Sequence, residues 1–280
     1  MTEGAGPMSV WHEFFHHPVG GFVLGVIPNV GSASTKKWFL STAGSPAADA
    51  DISVSPWRPY RLSLRPGPEA IVHRFPTFAA IRDPRSRLAS VYITRMIRPP
   101  VAKLSPAMRL LIEVMSGSEV TPDHPRLSYR QFAEGLAAWE DDETLDLHLR
   151  PQAAFLAVGG PNLRVCRLDS LDAMLAGLSS WAGQPRVSAA ARRVAQPVSS
   201  IRNGVADRTA GEWRRLLGAG TDTMIAKPTA VGRGPVLDLR TSEVRDPGAD
   251  EVIAERYADD LRWFEESDWN PADHDWSTRP

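Results

Sequence analysis

GFVLGVIPNVGSASTKKWFL, residues 21–40, joins an apolar run to a small-residue turn and a second apolar run. Phe22 to Ile27 is an apolar, branched-rich run of strand length. A turn of small residues follows (Pro28, Asn29, Val30, Gly31, Ser32, Ala33, Ser34), and after Thr35, Lys36 and Lys37 the apolar Trp38, Phe39 and Leu40 continue a helix. Strand, small-residue turn and helix start together present unpaired backbone N–H groups and a positive helix end to an anion. Gly31 and its small neighbours let a phosphate or sulfate oxygen approach the backbone, and Lys36 or Lys37 can lean over the turn. The spacing is not G-x-x-x-x-G-K-[ST], so this is not an ordinary P-loop. A tight βα turn in any α/β protein fits the same residues.

Working outward, the next informative stretch is FAAIRDPRSRLASVYITRMIRPP, residues 78–100. Phe78 to Ile81 reads as a short buried strand. Asp83 has the character of an N-cap and Pro84 of a first helical residue. Leu88, Val91, Tyr92 and Met96 fall at helical spacing, and the helix stops before Pro99 and Pro100. This sets Arg82 at the carboxyl end of a strand and Ser90 in the following helix. A guanidinium can grip an anion bidentately, and a hydroxyl can donate to the same group. An Arg at a strand end also serves as an ordinary salt-bridge partner.

Composition narrows the rest. The chain has 280 residues, 42% apolar and 23% charged, with a formal net charge of −1. That length suits one large α/β domain or two small ones, and the charge gives no reason to expect nucleic acid or an anionic membrane as partner. The single cysteine, Cys166, suits a reducing compartment and reads as a buried thiol in the strand NLRVCRL. No run reaches membrane-spanning length, and no basic region precedes an apolar one at the start, so the expectation is a soluble, cytoplasmic protein. His16 and His17 are adjacent on an extended segment and point opposite ways; without a carboxylate or cysteine at ligand spacing they read as packing residues, and no metal is expected.

The two stretches together resemble the carbohydrate sulfotransferases of the family-2 type, which use 3′-phosphoadenosine 5′-phosphosulfate (PAPS). That family's 5′-phosphosulfate loop reads roughly P-K-V-x-x-T-x-W-K, against Pro28, Asn29, Val30, Gly31, Ser32, Ala33, Ser34, Thr35 and Lys36 here. Its 3′-phosphate element, roughly V-R-D-P-x-x-R-L-x-S-x-Y, is similar to Ile81, Arg82, Asp83, Pro84, Arg87, Leu88, Ser90 and Tyr92. His148, Pro151 and Gln152 look like its H-x-x-P-Q segment, Arg167 to Leu171 like a strand end, and Arg256, Tyr257, Asp260, Leu261 and Phe264 like its terminal helix. The landmarks keep the family's order from about residue 22 to 265. The resemblance implies a P-loop-like three-layer α/β fold with a central, mainly parallel sheet flanked by helices. It also implies PAPS as co-substrate and the hydroxyl of a sugar or small glycosylated metabolite as acceptor. Residues 29–37, Arg82 and Ser90 would bind the nucleotide.

Two departures from that pattern bear on the chemistry. The loop lysine, which the family sets on the bridging oxygen, is Asn29, and the loop threonine is Ala33. Sulfuryl transfer needs positioning and donors aimed at charge growing on the leaving phosphate, and losing one such donor costs about 10²–10³ in rate. Lys36, or Lys37, would have to take over; otherwise the chain binds nucleotide and transfers slowly. A P-loop-type phosphotransferase is a further alternative, disfavoured because no G-K-[ST] follows the loop. The acceptor must lose a proton, so a general base is expected: His148 first and His73 second, with Asp141, Asp142, Glu143 and Asp146 forming an acidic turn beside the former.

The remaining expectations concern organisation. Residues 1–280 read as one domain, with 1–20 an extension, 183–247 an acceptor-side insertion and 265–280 a loose tail. Helices are expected over 106–115, 129–139, 171–181 and, as one long closing element, 249–264. Trp57, Arg58, Tyr60, Arg61 and Arg65 lie on a proline-rich segment that either lines a pocket or packs on the core.

Overall fold

The computed structural model describes residues 9–44, 57–97, 99, 103–121, 127–184 and 241–277. Most of segment 183–247 lies outside the described residues, and with it a short helix and a strand that its sequence pattern suggests at 211–217 and 236–239. Where one domain was expected, the chain divides into two compact units. One takes the chain through Arg82, then from Pro151, and again from Arg262; the other runs Asp83–Arg150 and includes the later chain up to Leu261.

The first unit is an α/β body on a four-stranded open sheet in the order β1-β2-β3-β4. β2 (Phe22–Gly25), β3 (Thr77–Ile81) and β4 (Leu163–Arg167) are parallel, and β1 (Phe14–His17) adds an antiparallel edge. β2 and β3 are buried along their whole length, as expected of parallel strands covered on both faces. Register pairs Val23 with Thr77, Gly25 with Ala79 and Ala79 with Val165.

Helices α1 (Ser32–Thr42), α2 (Pro68–Arg74), α6 (Gln152–Leu156) and α7 (Leu171–Trp181) flank it. Trp38 of α1 stacks on Phe22 and donates its indole N–H to Ser179 of α7 at 2.9 Å. Burial raises the Cys166 thiol pKa to about 12, so this strand cysteine is inert, as its apolar surroundings predict.

Residues 10–17 are no extension. A 3₁₀ turn (Val10–Glu13) leads into β1, and Val26 N–H donates to Glu13 O at 2.7 Å, so this segment closes the sheet edge. His17 is buried within it: its Nδ1 accepts from Gly20 N–H at 2.9 Å, leaving Nε2 to face Thr42 Oγ1 at 3.1 Å. The ring stacks on Phe22, and burial together with the charge of His16 lowers its pKa to about 4.

The tail is not loose. Trp269 and Trp276 pack on Phe78 at 5.8 and 5.7 Å, and Ser267 Oγ donates to Val165 O at 2.8 Å. A methyl group at Gly177 would lie 2.0 Å from the Trp276 ring, so α7 keeps a glycine where the tail docks.

The second unit is helical, built of α3 (Pro84–Val91), α4 (Pro106–Ser116), α5 (Tyr129–Ala137) and α8 (Pro247–Arg256). Its core gathers Leu88, Tyr92, Met96, Leu111, Phe132, Leu136, Ile253 and Tyr257. α5 begins on a capping box between Ser128 and Gln131. The helix expected to run unbroken to Met96 changes at Tyr92 into a π-helical stretch, Tyr92–Ile97. The expected closing helix also breaks, at Tyr257 (φ −113°, ψ 38°), into α8 and α9 (Ala258–Glu266). Tyr257 is buried and its hydroxyl donates to Leu149 O at 2.6 Å, so a tertiary bond outweighs the helical periodicity there.

Candidate functional site

The first corner follows β2. Val30 N–H donates to Ile27 O at 3.2 Å, closing a turn with Pro28 second and Asn29 third. Asn29 has φ +62°, the positive value a type II turn demands at that place and one Asn tolerates better than other side chains. Gly31 is also left-handed (φ +66°), and an added methyl would meet Leu171 Cδ2 at 2.6 Å. Gly31 O accepts the first helical bond from Thr35 N–H and a second from Thr35 Oγ1, both at 3.0 Å. No side chain caps α1, and by helix geometry the N–H groups of Ser32, Ala33 and Ser34 point outward from its positive end.

Lys36 is not turned over this loop. Its ammonium meets Glu13 Oε2 at 2.6 Å and lies over the rings of Trp57 (5.4 Å) and Phe15 (5.6 Å). Glu13 stands beside Val26, at the same edge, and no local pattern in the sequence marks it as the partner. Trp57 is buried and Tyr60 packs edge-on against Phe39, so the proline-rich segment covers the core. Lys37 is half-buried in the second turn of α1.

The second corner follows β3, the neighbour of β2. Gln152, buried at the start of α6, clamps the Arg82 peptide: its Oε1 accepts from Arg82 N–H at 3.0 Å and its Nε2 donates to Arg82 O at 2.7 Å. That pair of hydrogen bonds continues the pattern of a strand ladder and fixes the Arg82 backbone. The carboxyl ends of β2 and β3 thus bring residues 28–35 and Arg82 to one edge of one sheet. His73, in the last turn of α2, is exposed and precedes the amino end of β3; the structure sets it at the opposite edge, away from Arg82.

In the second unit Asp83 caps α3, accepting from Arg85 N–H at 2.8 Å, with Pro84 in the first turn. Ser90 is half-buried, and its carbonyl accepts from Thr94 Oγ1 at 2.7 Å. His148 sits in the turn before Arg150, with Nδ1 2.6 Å from Asp146 Oδ1 and Nε2 2.5 Å from an Arg95 Nη. Since guanidinium only donates, the bond pattern assigns the proton to Nδ1 and the lone pair to Nε2. Burial raises the Asp146 pKa, but the hydrogen bonds it accepts from His148, with the charge of Arg95, outweigh it and bring it to about 2.

The acidic turn is half paired: Asp142 bonds Arg256 and Asp146 bonds His148, while Asp141 and Glu143 are exposed. Arg87, fully buried, donates to the carbonyls of His148 (3.0 Å) and Arg150 (2.8 Å) and faces Asp260 at 3.9 Å, so it holds the turn that carries the histidine. In the sequence Arg87 is marked only by its place in the 81–92 pattern, and Arg95 by nothing local.

Among the described residues no group of three His, Cys, Asp or Glu side chains is set to hold a metal, and no helix is long and apolar enough to cross a membrane. No protein-family model, curated protein or solved structure matches the chain.

Proposed function

We propose that the chain is a sulfotransferase that moves a sulfuryl group from PAPS to a hydroxyl of a sugar or small glycosylated metabolite, on a P-loop-like fold and in the cytoplasm. The observation that carries this reading is the pair of anion-ready corners on adjacent parallel strands, the uncapped start of α1 after β2 and the clamped Arg82 after β3. Ligands in open α/β sheets gather at the carboxyl ends of strands. On this reading the backbone of Val30 to Ser34 receives the 5′-phosphosulfate and Arg82 the 3′-phosphate, and the resemblance adds Ser90 to the latter. His148, its proton held on Nδ1 by Asp146, takes the acceptor proton at Nε2 once Arg95 is displaced. The acceptor oxygen bonds sulfur, the sulfur–oxygen bond to the nucleotide breaks, and adenosine 3′,5′-bisphosphate leaves.

A second reading is favoured by the Lys36–Glu13 pair. With Asn29 neutral and Lys36 already bound to a carboxylate, the loop brings little positive charge to the leaving phosphate, as in a nucleotide-binding protein that transfers slowly. Incubation with ³⁵S-labelled PAPS and a panel of sugars and glycosides separates the two. Transfer by the natural sequence, lost in His148→Ala, is expected for the enzyme; transfer only after Asn29→Lys selects the second reading.

A further inference from the structure

The opposite edge of the first unit's sheet, where β2, β3 and β4 begin, carries a cleft of about 850 Å³. It is walled by the hairpin turn between β1 and β2, the segment joining α2 to β3, the segment entering β4, Trp181 and His274. That volume lies in the range of small-molecule sites, about 300–1,000 Å³.

Two observations give the cleft a chemistry. The first is charge. Arg74 and Arg164 both line it, and among the described lining residues there is no carboxylate. Both side chains are exposed, and neither joins any ion pair seen among the described residues. Arg74 instead lies over the Phe75 ring, 5.4 Å from its centroid. Burial, then the charge of Arg164, lowers the His274 pKa, so that imidazole is a neutral, flat partner at pH 7.

The second observation is shape. Trp181, Phe75 and His274 bring three rings to the wall of one cavity. Trp181 is locked edge-on between Phe78 (5.7 Å) and Trp276 (5.9 Å), so its ring is preorganised. Guanidinium groups pair bidentately with carboxylate and sulfate-like oxygens, and rigid rings hold flat apolar bodies at low entropic cost.

The geometry points to a second ligand site at this edge, for a small organic acid. Its carboxylate, sulfate or sulfonate meets Arg74 and Arg164, and its flat body lies along Trp181 and Phe75. The site is separate from the corner at the strands' carboxyl ends and does not rest on the sulfotransferase reading.

Calorimetric titration of the full chain with 2-naphthalenesulfonate and with neutral 2-naphthalenemethanol tests it. The sulfonate should bind at least tenfold more tightly than the alcohol. Arg74→Gln with Arg164→Gln should weaken it at least tenfold, and excess adenosine 3′,5′-bisphosphate should leave the titration unchanged. The single variants give the same reading if the double variant unfolds. Absence of binding at millimolar sulfonate, equal affinity in the variants, or displacement by the nucleotide would overturn the assignment.

Discussion

Lys36 delivers its charge to Glu13 rather than to the turn it follows, and this pairing sets what the first corner can do. Both partners are largely shielded, with side-chain exposures of 16% and 11%. Removing the carboxylate frees the ammonium. Glu13→Gln should therefore tighten binding of adenosine 3′,5′-bisphosphate by several-fold, the scale of an ion pair of about 1 kcal/mol, measured by calorimetry. Unchanged or weaker binding would show that Lys36 has no reach to the loop.

Arg87 is a different kind of residue, a fully buried cation whose guanidinium serves the carbonyls of the 148–150 turn and an aspartate. Arg87→Ala leaves Asp260 buried without that charge and should cost about 3–5 kcal/mol in urea unfolding.

His17 makes a pH prediction. Its folded pKa of about 4 lies below the ordinary 6.5, so the unfolded chain binds the proton more readily. Stability from this group is complete above pH 6.5 and falls, by up to about 3 kcal/mol, as pH drops toward 4. Urea midpoints at pH 7 and pH 4.5 should differ accordingly, and His17→Gln should flatten the slope. Asp146, held near 2, acts only below about pH 4.

At the scale of elements, what was legible was what local chemistry decides. Asp83 and Pro84 announce a helix start, because caps act within one turn. Pro28, Asn29 and Gly31 punctuate the corner after β2 for the same reason. What failed depends on distant partners. Residues 14–17 carry strand-like side chains but become a strand only because β2 lies beside them.

Likewise nothing in EESDWNPADHDW announces that Trp269 and Trp276 cover Phe78, nor does helical periodicity reveal that Tyr257 reaches Leu149. The docked tail predicts its own test: Trp276→Ala should destabilise the first unit by about 2 kcal/mol, from the lost apolar burial. Gly177→Ala should do comparable damage from the other side of the same contact. Thermal melts of the two variants that match the natural sequence would refute the docking.

At the scale of the whole molecule, the candidate site was readable in its skeleton, two strand-to-helix corners, and unreadable in its wiring. The Gln152 clamp on Arg82 spans seventy positions of sequence, as its bond records, and the Glu13 pairing twenty-three. Such contacts leave no periodic trace. If residues 28–35 and Arg82 grip the two phosphorylated ends of one adenosine, as proposed, thermal shift will distinguish adenosine 3′,5′-bisphosphate from AMP. A specific ligand at a hundred times its dissociation constant adds about 2.7 kcal/mol of stability. The expected result is a clear rise in melting temperature with the bisphosphate, a smaller one with AMP, and loss of the difference in Arg82→Ala. Equal shifts for the two nucleotides, or a preference that survives Arg82→Ala, would contradict it.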